Sequence, residues 1–386
     1  MITPRTTLLP WAAAVLVLSG AAQQAGAQVV LEHTPYSLTV EGYVNATGAR
    51  NVGEDNTADP PRYGDVIDSE LRLLGLAKSE AGLAFGPRVT VRASSGESVK
   101  LGERSLLAMG PYGRAEVGKR RGLPDVLTGY APNNYQFVSA EFGPATGRSL
   151  DPDGGLQTSF LAPVLANQIN PLTSLGITAS FFFDESNKII YVSPKTKGFL
   201  GGLSFSPDAE DGNFKQLVQA GLTYENYWDQ NVLRVGGTYA YARGAKGAPG
   251  SVSFDDLDSF SAGATVTLDD SLTLGASFTY NGDTGLQQGL GQSFTSPAFG
   301  FAAGINYNTG PWTFGGFYQW ARAQEDTSIP GADRLQALEM GLSYRLNTKV
   351  RLYGAGYFYR FRNEGGATDA NRFDGSVFML GMRLTL

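Results

Sequence analysis

The chain has 386 residues, with 30 Lys+Arg against 36 Asp+Glu, a single histidine and no cysteine. The acidic balance gives no general attraction for nucleic acid. Without cysteine there are no disulfides or thiolate metal sites, and a lone His33 excludes histidine-pair zinc motifs and leaves little for nucleophile–histidine catalysis.

Residues 1–27 read as a signal peptide. Arg5 precedes an apolar run from Leu8 to Leu18, followed by Ala25-Gly26-Ala27, a small-x-small cleavage signal. The run is too short to span a membrane as a helix, so Gln28 becomes the mature N-terminus and residues 28–386 one domain. Removing Arg5 leaves 30 − 1 = 29 bases against 36 acids, a net charge of −7. No later stretch resembles a spanning helix, and the mean hydropathy is −0.15, which excludes a helical membrane protein.

From Ser37 the chain divides into alternating apolar and polar segments, the signature of strands with two unlike faces. In chain order they are Ser37 to Ala46, Leu71 to Lys78, Gly82 to Ser94, Arg104 to Met109 and Tyr112 to Lys119, then Lys188 to Ser193, Phe199 to Phe205, Gln216 to Tyr224 and Leu233 to Ala242. A hairpin over Ser259 to Gly282 follows, then Ala298 to Tyr307, Trp312 to Ala321, Leu335 to Leu346, Val350 to Phe361 and Ser376 to Leu386. The hairpin counts as two, which makes sixteen strands. It sets Phe260, Ala262, Ala264, Val266 and Leu268 against Ser261, Gly263, Thr265 and Thr267, turns at Asp269-Asp270, and resumes the alternation to Tyr280.

These strands run to about ten residues, the roughly 9–11 that a tilted strand needs to cross hydrocarbon. Strands of a soluble sandwich are nearer five or six. An even number of strands with short connections on one side and longer polar ones on the other predicts a closed transmembrane barrel, because an open edge in lipid would leave backbone groups unsatisfied. Charges decide which face is wet. On the strand from Gly82, Leu83, Phe85, Val89 and Val91 share one parity, and Arg88 and Arg92 the other. An arginine on the lipid face at mid-bilayer costs about 2–4 kcal/mol, so both arginines point into the lumen, about 13 Å apart at strand rise. The same argument turns Glu339 and Arg345 inward, opposite Leu338, Met340, Leu342 and Tyr344. A barrel of sixteen strands is wide enough to hold an aqueous channel.

One segment breaks the pattern. Between Arg120 and Glu185 the chain is rich in Pro, Asn and Gly, as in Tyr130-Ala131-Pro132-Asn133-Asn134-Tyr135, and carries Asp125, Glu141, Asp151 and Asp153. Loops of this length are uncommon in compact domains unless functional or disordered.

Leu71 to Ser94, Tyr112-Gly113-Arg114-Ala115-Glu116-Val117-Gly118-Lys119 and the closing strand Phe378 to Leu386 resemble the Gram-negative general diffusion porins, the sixteen-stranded trimeric family. The resemblance implies that the third loop, the segment after Lys119, folds into the barrel and narrows it. Its acids would be drawn from Asp125, Glu141, Asp151 and Asp153, facing a basic wall drawn from Arg72, Arg88, Arg92 and Arg114. It also implies a homotrimer built on the first and last strands, residence in the outer membrane among lipid and lipopolysaccharide, and passive diffusion of ions and small hydrophilic solutes without a cofactor. Leu386 departs from the family's usual terminal Phe.

Opposed charges across a narrow, low-dielectric passage make a transverse field that orients dipolar solutes. The acidic net charge favours cations, and the four arginines oppose it. Acidic stretches such as Asp255-Asp256-Asp258 and Asp208 to Asp211 would suit divalent cations bridging lipopolysaccharide. A second reading is a substrate-selective channel for a sugar, phosphate or dicarboxylate, using Tyr353, Tyr357 and Tyr359 with Arg351 on one parity. An outer-membrane hydrolase would need a histidine base, for which only His33 is present, and no GxxxxGK[ST] phosphate loop occurs.

Overall fold

The computed structural model describes residues 28–33, 35–54, 63–94, 99–127, 185–209, 214–246, 253, 255–282, 297–323, 330–362 and 372–386. The first strands are β1 (Gln28–His33), β2 (Tyr36–Glu54), β3 (Tyr63–Lys78), β4 (Ala84–Ser94), β5 (Lys100–Gly110) and β6 (Gly113–Lys119), followed by one short helix, α1 (Leu123–Val126). Next come β7 (Asn187–Val192), β8 (Phe199–Asp208), β9 (Phe214–Trp228), β10 (Asn231–Gly244), β11 (Leu257–Leu268) and β12 (Leu272–Gly282). The rest are β13 (Ala298–Thr309), β14 (Trp312–Ala323), β15 (Asp333–Arg345), β16 (Val350–Arg362) and β17 (Arg372–Thr385).

Strands β2 to β17 form a closed antiparallel ring. Each pairs with its chain neighbours, β9 with β10 included, and β17 returns to β2 through Tyr43↔Thr385 to Glu54↔Asp374. The sixteen expected strands are therefore the sixteen strands of the barrel. The seventeenth, β1, is additional: it folds back along β2 from Gln28↔Glu41 to His33↔Tyr36. It occupies the edge of β2 that β17 leaves at Leu386, whose backbone N–H donates to Gly42 O at 3.0 Å. Alternation alone could not reveal β1, because Val29, Val30 and Leu31 follow one another without a period. Strands β2 and β3 are also far longer than read, 19 and 16 residues.

Exposure alternates as the charge argument requires, but with the sense of a membrane protein. Phe260, Phe278, Tyr280, Phe301, Leu338, Met340 and Leu342 are exposed on the outside, while Ser259, Thr265, Thr279 and Glu339 are buried on the inside. The outer face carries aromatic clusters near both ends of the strands. Trp312 lies 4.6 Å from Tyr344 at the short-turn end, and Trp320 lies 5.2 Å from Phe299 and 5.8 Å from Phe301 toward the other, all between ring centroids. Rings with an apolar body and polar edge settle at such interfaces. The turn between β11 and β12 uses Asp269 and Asp270 at φ of +49° and +53°, closed by Ser271 N–H to Leu268 O at 3.0 Å. Two central residues at positive φ match the twist of the flanking strands, and Asp tolerates that conformation.

Candidate functional site: a charged inner wall

The expected arginines meet on one side of the lumen, across β3 to β6. Glu70 lies directly opposite Arg92 on the β3–β4 ladder and accepts from Arg72 Nε at 2.5 Å and Arg92 Nε at 2.7 Å. Arg92 also reaches Glu185, which accepts from Arg121 Nε at 3.3 Å. Glu116 on β6 takes Arg114, Arg120 Nε at 2.8 Å and Arg88 Nη1 at 3.4 Å. Glu103 on β5 takes Arg120 and the backbone N–H of Arg121, the latter at 3.1 Å. Thus Arg72, Arg88, Arg92, Arg114, Arg120 and Arg121 interlock with Glu70, Glu103, Glu116 and Glu185.

All four glutamates are buried, and so is Arg120. Isolated charges at such depth would cost several kcal/mol each, so the network is the condition of their burial. With six guanidinium groups against four carboxylates, these groups alone carry 6 − 4 = 2 positive charges.

Sequence reasoning found four of the arginines but missed Arg120, Arg121 and every glutamate. Glu70, Glu103 and Glu116 sit on the wall itself, on the inward parity of β3, β5 and β6, and Glu185 lies just before β7. That parity was the available signal: Glu70 and Arg72 are two apart on β3, as Arg114 and Glu116 are on β6. The loop acids expected to face the arginines are not among the described side chains. Glu141, Asp151 and Asp153 lie outside the described residues, as does the side chain of Asp125, whose backbone is in α1.

The start of the long segment is anchored on the adjoining inner wall. Leu123 and Leu127 are fully buried and pack in one cluster with Ile190, Val192 and Leu200. The backbone N–H of Leu123 donates to Gln219 Oε1 at 2.8 Å. Room is made by glycine: a Cβ on Gly202 would come within 2.7 Å of Leu123 Cδ1, and one on Gly221 within 2.5 Å of Leu127 Cδ1. The inner face is therefore not uniformly polar. Where β7 and β8 receive α1, Ile190, Val192 and Leu200 put apolar side chains on the inward parity as well.

The tyrosines proposed for a selective track face inward but are engaged. Tyr353 and Tyr357 are buried, and Tyr353 Oη donates to Asn45 Oδ1 at 2.9 Å and shares a hydrogen bond with Thr47 Oγ1. Its ring crosses Gly381, where any Cβ would overlap it. Asp256, one of the acids considered for cation binding, accepts from Tyr241 Oη at 3.2 Å and from the Gly244 N–H at 3.0 Å. Among the described residues, no group of three or more acids or histidines could hold a metal ion.

A smaller ionic cluster lies at the short-turn end. Glu225 on β9 accepts from Lys195 in the β7–β8 turn, from Tyr227 Oη at 2.6 Å and from Arg234 Nε at 2.7 Å.

Comparisons with known proteins agree with this architecture. The family model described as Gram-negative porin matches residues 12–364. No curated protein sequence matches the chain. Among solved structures, outer-membrane-expressed OmpT of Vibrio cholerae is similar at 11% identity, covering 92% of this chain and 100% of that one with a TM-score of 0.55. A triple mutant of Rhodopseudomonas blastica porin is similar at 15% identity over 90% of this chain and 100% of that one, with a TM-score of 0.56.

Proposed function

We propose, from the premise that this chain belongs to the Gram-negative porin family, that its outer-membrane diffusion channel is general rather than dedicated, and biased by charge at the β3–β6 wall. The observation that carries this reading is the interlocked wall itself. Guanidinium groups held in place by buried carboxylates form a fixed positive field along one side of the lumen, in surroundings of low dielectric.

The third loop completes the narrowing. Its root is already seated on the inner wall by Leu123 and Leu127, and its acids, drawn from Asp125, Glu141, Asp151 and Asp153, would face Arg72, Arg88, Arg92 and Arg114 across the passage. Small hydrophilic solutes pass through the gap, turned by the field between the two sides. The engaged hydroxyl of Tyr353 and the burial of Tyr357 favour this over a tyrosine track for one substrate.

The family and fold point to a channel rather than an enzyme. Catalysis has no support from the residues, since His33 at the end of β1 is the only imidazole in the chain. The remainder follows from the same reading: export directed by residues 1–27 with cleavage after Ala27, short turns on the periplasmic side, a homotrimer, and contact with outer-membrane lipid and lipopolysaccharide.

The test is single-channel recording of the purified protein in a planar bilayer under a KCl gradient. Steps arriving in threes, with a broad conductance and a reversal potential of definite sign, are expected. Small channels blocked by a single solute, or none, would replace this reading with a selective or non-conducting barrel.

A further inference from the structure

The β4–β5 ladder carries an irregularity, and it lies within the charged wall. Val89 pairs with Arg104 and Val91 with Leu101, so Thr90 alone stands against both Gly102 and Glu103. Such a bulge re-aims side chains at the point where it falls. Gly102 and Glu103 are both buried, although successive residues of a regular strand face opposite ways. Glu103 thereby reaches Arg120. Gly102 has a different use.

Arg92 stands on β4 and Glu185 just ahead of β7, with β5 and β6 between those strands in the sheet. Gly102 lies beneath the ion pair that joins them. A Cβ there would come within 3.1 Å of Arg92 Nη1, 3.3 Å of Arg92 Cζ and 3.5 Å of Glu185 Oε2. The bare backbone therefore gives the pair room to cross. Glu185 is buried and also accepts from Arg121 Nε at 3.3 Å, while the Arg120 N–H donates to Ser186 O at 3.1 Å. On its other side, Arg92 Nε donates to Glu70 at 2.7 Å. Its guanidinium is thus fixed between carboxylates brought from β3 and from the threshold of β7. The field that one charge makes in surroundings of low dielectric depends steeply on its distance, so where this head group rests matters to a passing ion.

We propose that Glu185, seated over Gly102, is a positioning residue for charge selectivity: it holds the Arg92 guanidinium against the wall and sets how much of that charge the lumen sees. Held there, Arg92 is compensated from both sides. Released from Glu185, its charge swings into the passage and favours anions. The effect on current rests on the channel reading; the position of Arg92 does not.

Two substitutions keep every charge and disturb only the geometry. Glu185→Asp shortens the reach of the carboxylate, and Gly102→Leu fills the gap beneath the ion pair. The first readout is modification of Arg92 by phenylglyoxal, an arginine-selective dicarbonyl, on the detergent-solubilised full chain, followed by mass spectrometry with the more exposed Arg72 as internal reference. The Arg92 rate should rise about twofold or more in both variants as the shielding pair opens. In bilayers under a KCl gradient, both should move the reversal potential toward anion preference. Glu185→Asp should then have no effect in an Arg92→Gln background, because residues that act through one contact are not additive. If Gly102→Leu does not assemble, Glu185→Asp carries the test alone. An unchanged Arg92 rate, or a shift in potential that persists without Arg92, would overturn the role. Faster modification in the variants, with no channel steps from the unaltered protein, would keep the positioning and remove the channel reading.

Discussion

Two walls of one barrel solve the same problem in opposite ways. Across β3 to β6, arginines are matched by glutamates from neighbouring strands and by Glu185, and the set is interlocked around buried carboxylates. Across β15, β16, β17 and β2, the row around Tyr353 is built from hydroxyl, amide and glycine, with Tyr353 bridging Asn45 and Thr47, and Arg345, Arg351 and Arg383 stand in register with one another. The first wall keeps its charges rigid because each would be costly alone. The second includes neutral hydrogen bonds that tie Tyr353 on β16 to Asn45 and Thr47 on β2. Stability and selectivity are coupled on one side of the lumen and separable on the other.

The largest expected effect comes from breaking the coupled side. Glu116 receives Arg88, Arg114 and Arg120 at once. Glu116→Ala leaves three guanidiniums facing each other, and removing one partner of a buried pair costs about 3–5 kcal/mol. Denaturant unfolding in detergent should show a loss of that size. A loss below 1 kcal/mol would mean that water and loop groups take over the carboxylate's role.

Next in size is the anchor of the long segment. Leu123→Ala removes a fully buried side chain and should cost about 2–5 kcal/mol locally. Because the cluster with Ile190, Val192 and Leu200 sits at the root of the segment, the expected readout is noisier and higher single-channel conductance. Unaltered conductance would show that the segment is held elsewhere.

Replacing Arg88 and Arg92 together by Ala removes charge from the coupled wall while Arg72 still serves Glu70 and Arg114 still serves Glu116. The reversal potential under a KCl gradient should move toward cation preference by a factor of several, and more at low ionic strength, since mobile ions screen charges beyond about 10 Å at 0.1 M. An unmoved potential would place both arginines away from the narrowest point.

These effects follow from features that differed greatly in how visible they were in the sequence. Strand number, closure and the inward turn of Arg88, Arg92 and Glu339 were legible because a period of two and the cost of charge in lipid act residue by residue. The glutamate partners were harder to see. Pairing Glu116 with Arg120, or Arg92 with Glu185, depends on where the chain goes after β6, and alternation carries no information about that. Glu70 shows the limit most directly: it lay outside the strand as read from Leu71, because β3 begins eight residues earlier at Tyr63. The packing of α1 was equally hidden. Leu123 and Leu127 become buried only because Gly202 and Gly221, some 80 and 94 residues later, leave room for them.

The smallest effect tests the separable side. Tyr353→Phe removes one hydroxyl and its bonds to Asn45 and Thr47, while the ring still covers Gly381. Losing a neutral hydrogen bond typically costs about 0.5–1.5 kcal/mol, so the unfolding midpoint should fall slightly. The reversal potential should not move, because no charge has changed and the arginine row is a full inward rung away. If selectivity shifted with this substitution, Tyr353 would be setting the position of Arg351 or Arg383. The two walls would then couple stability to selectivity in the same way.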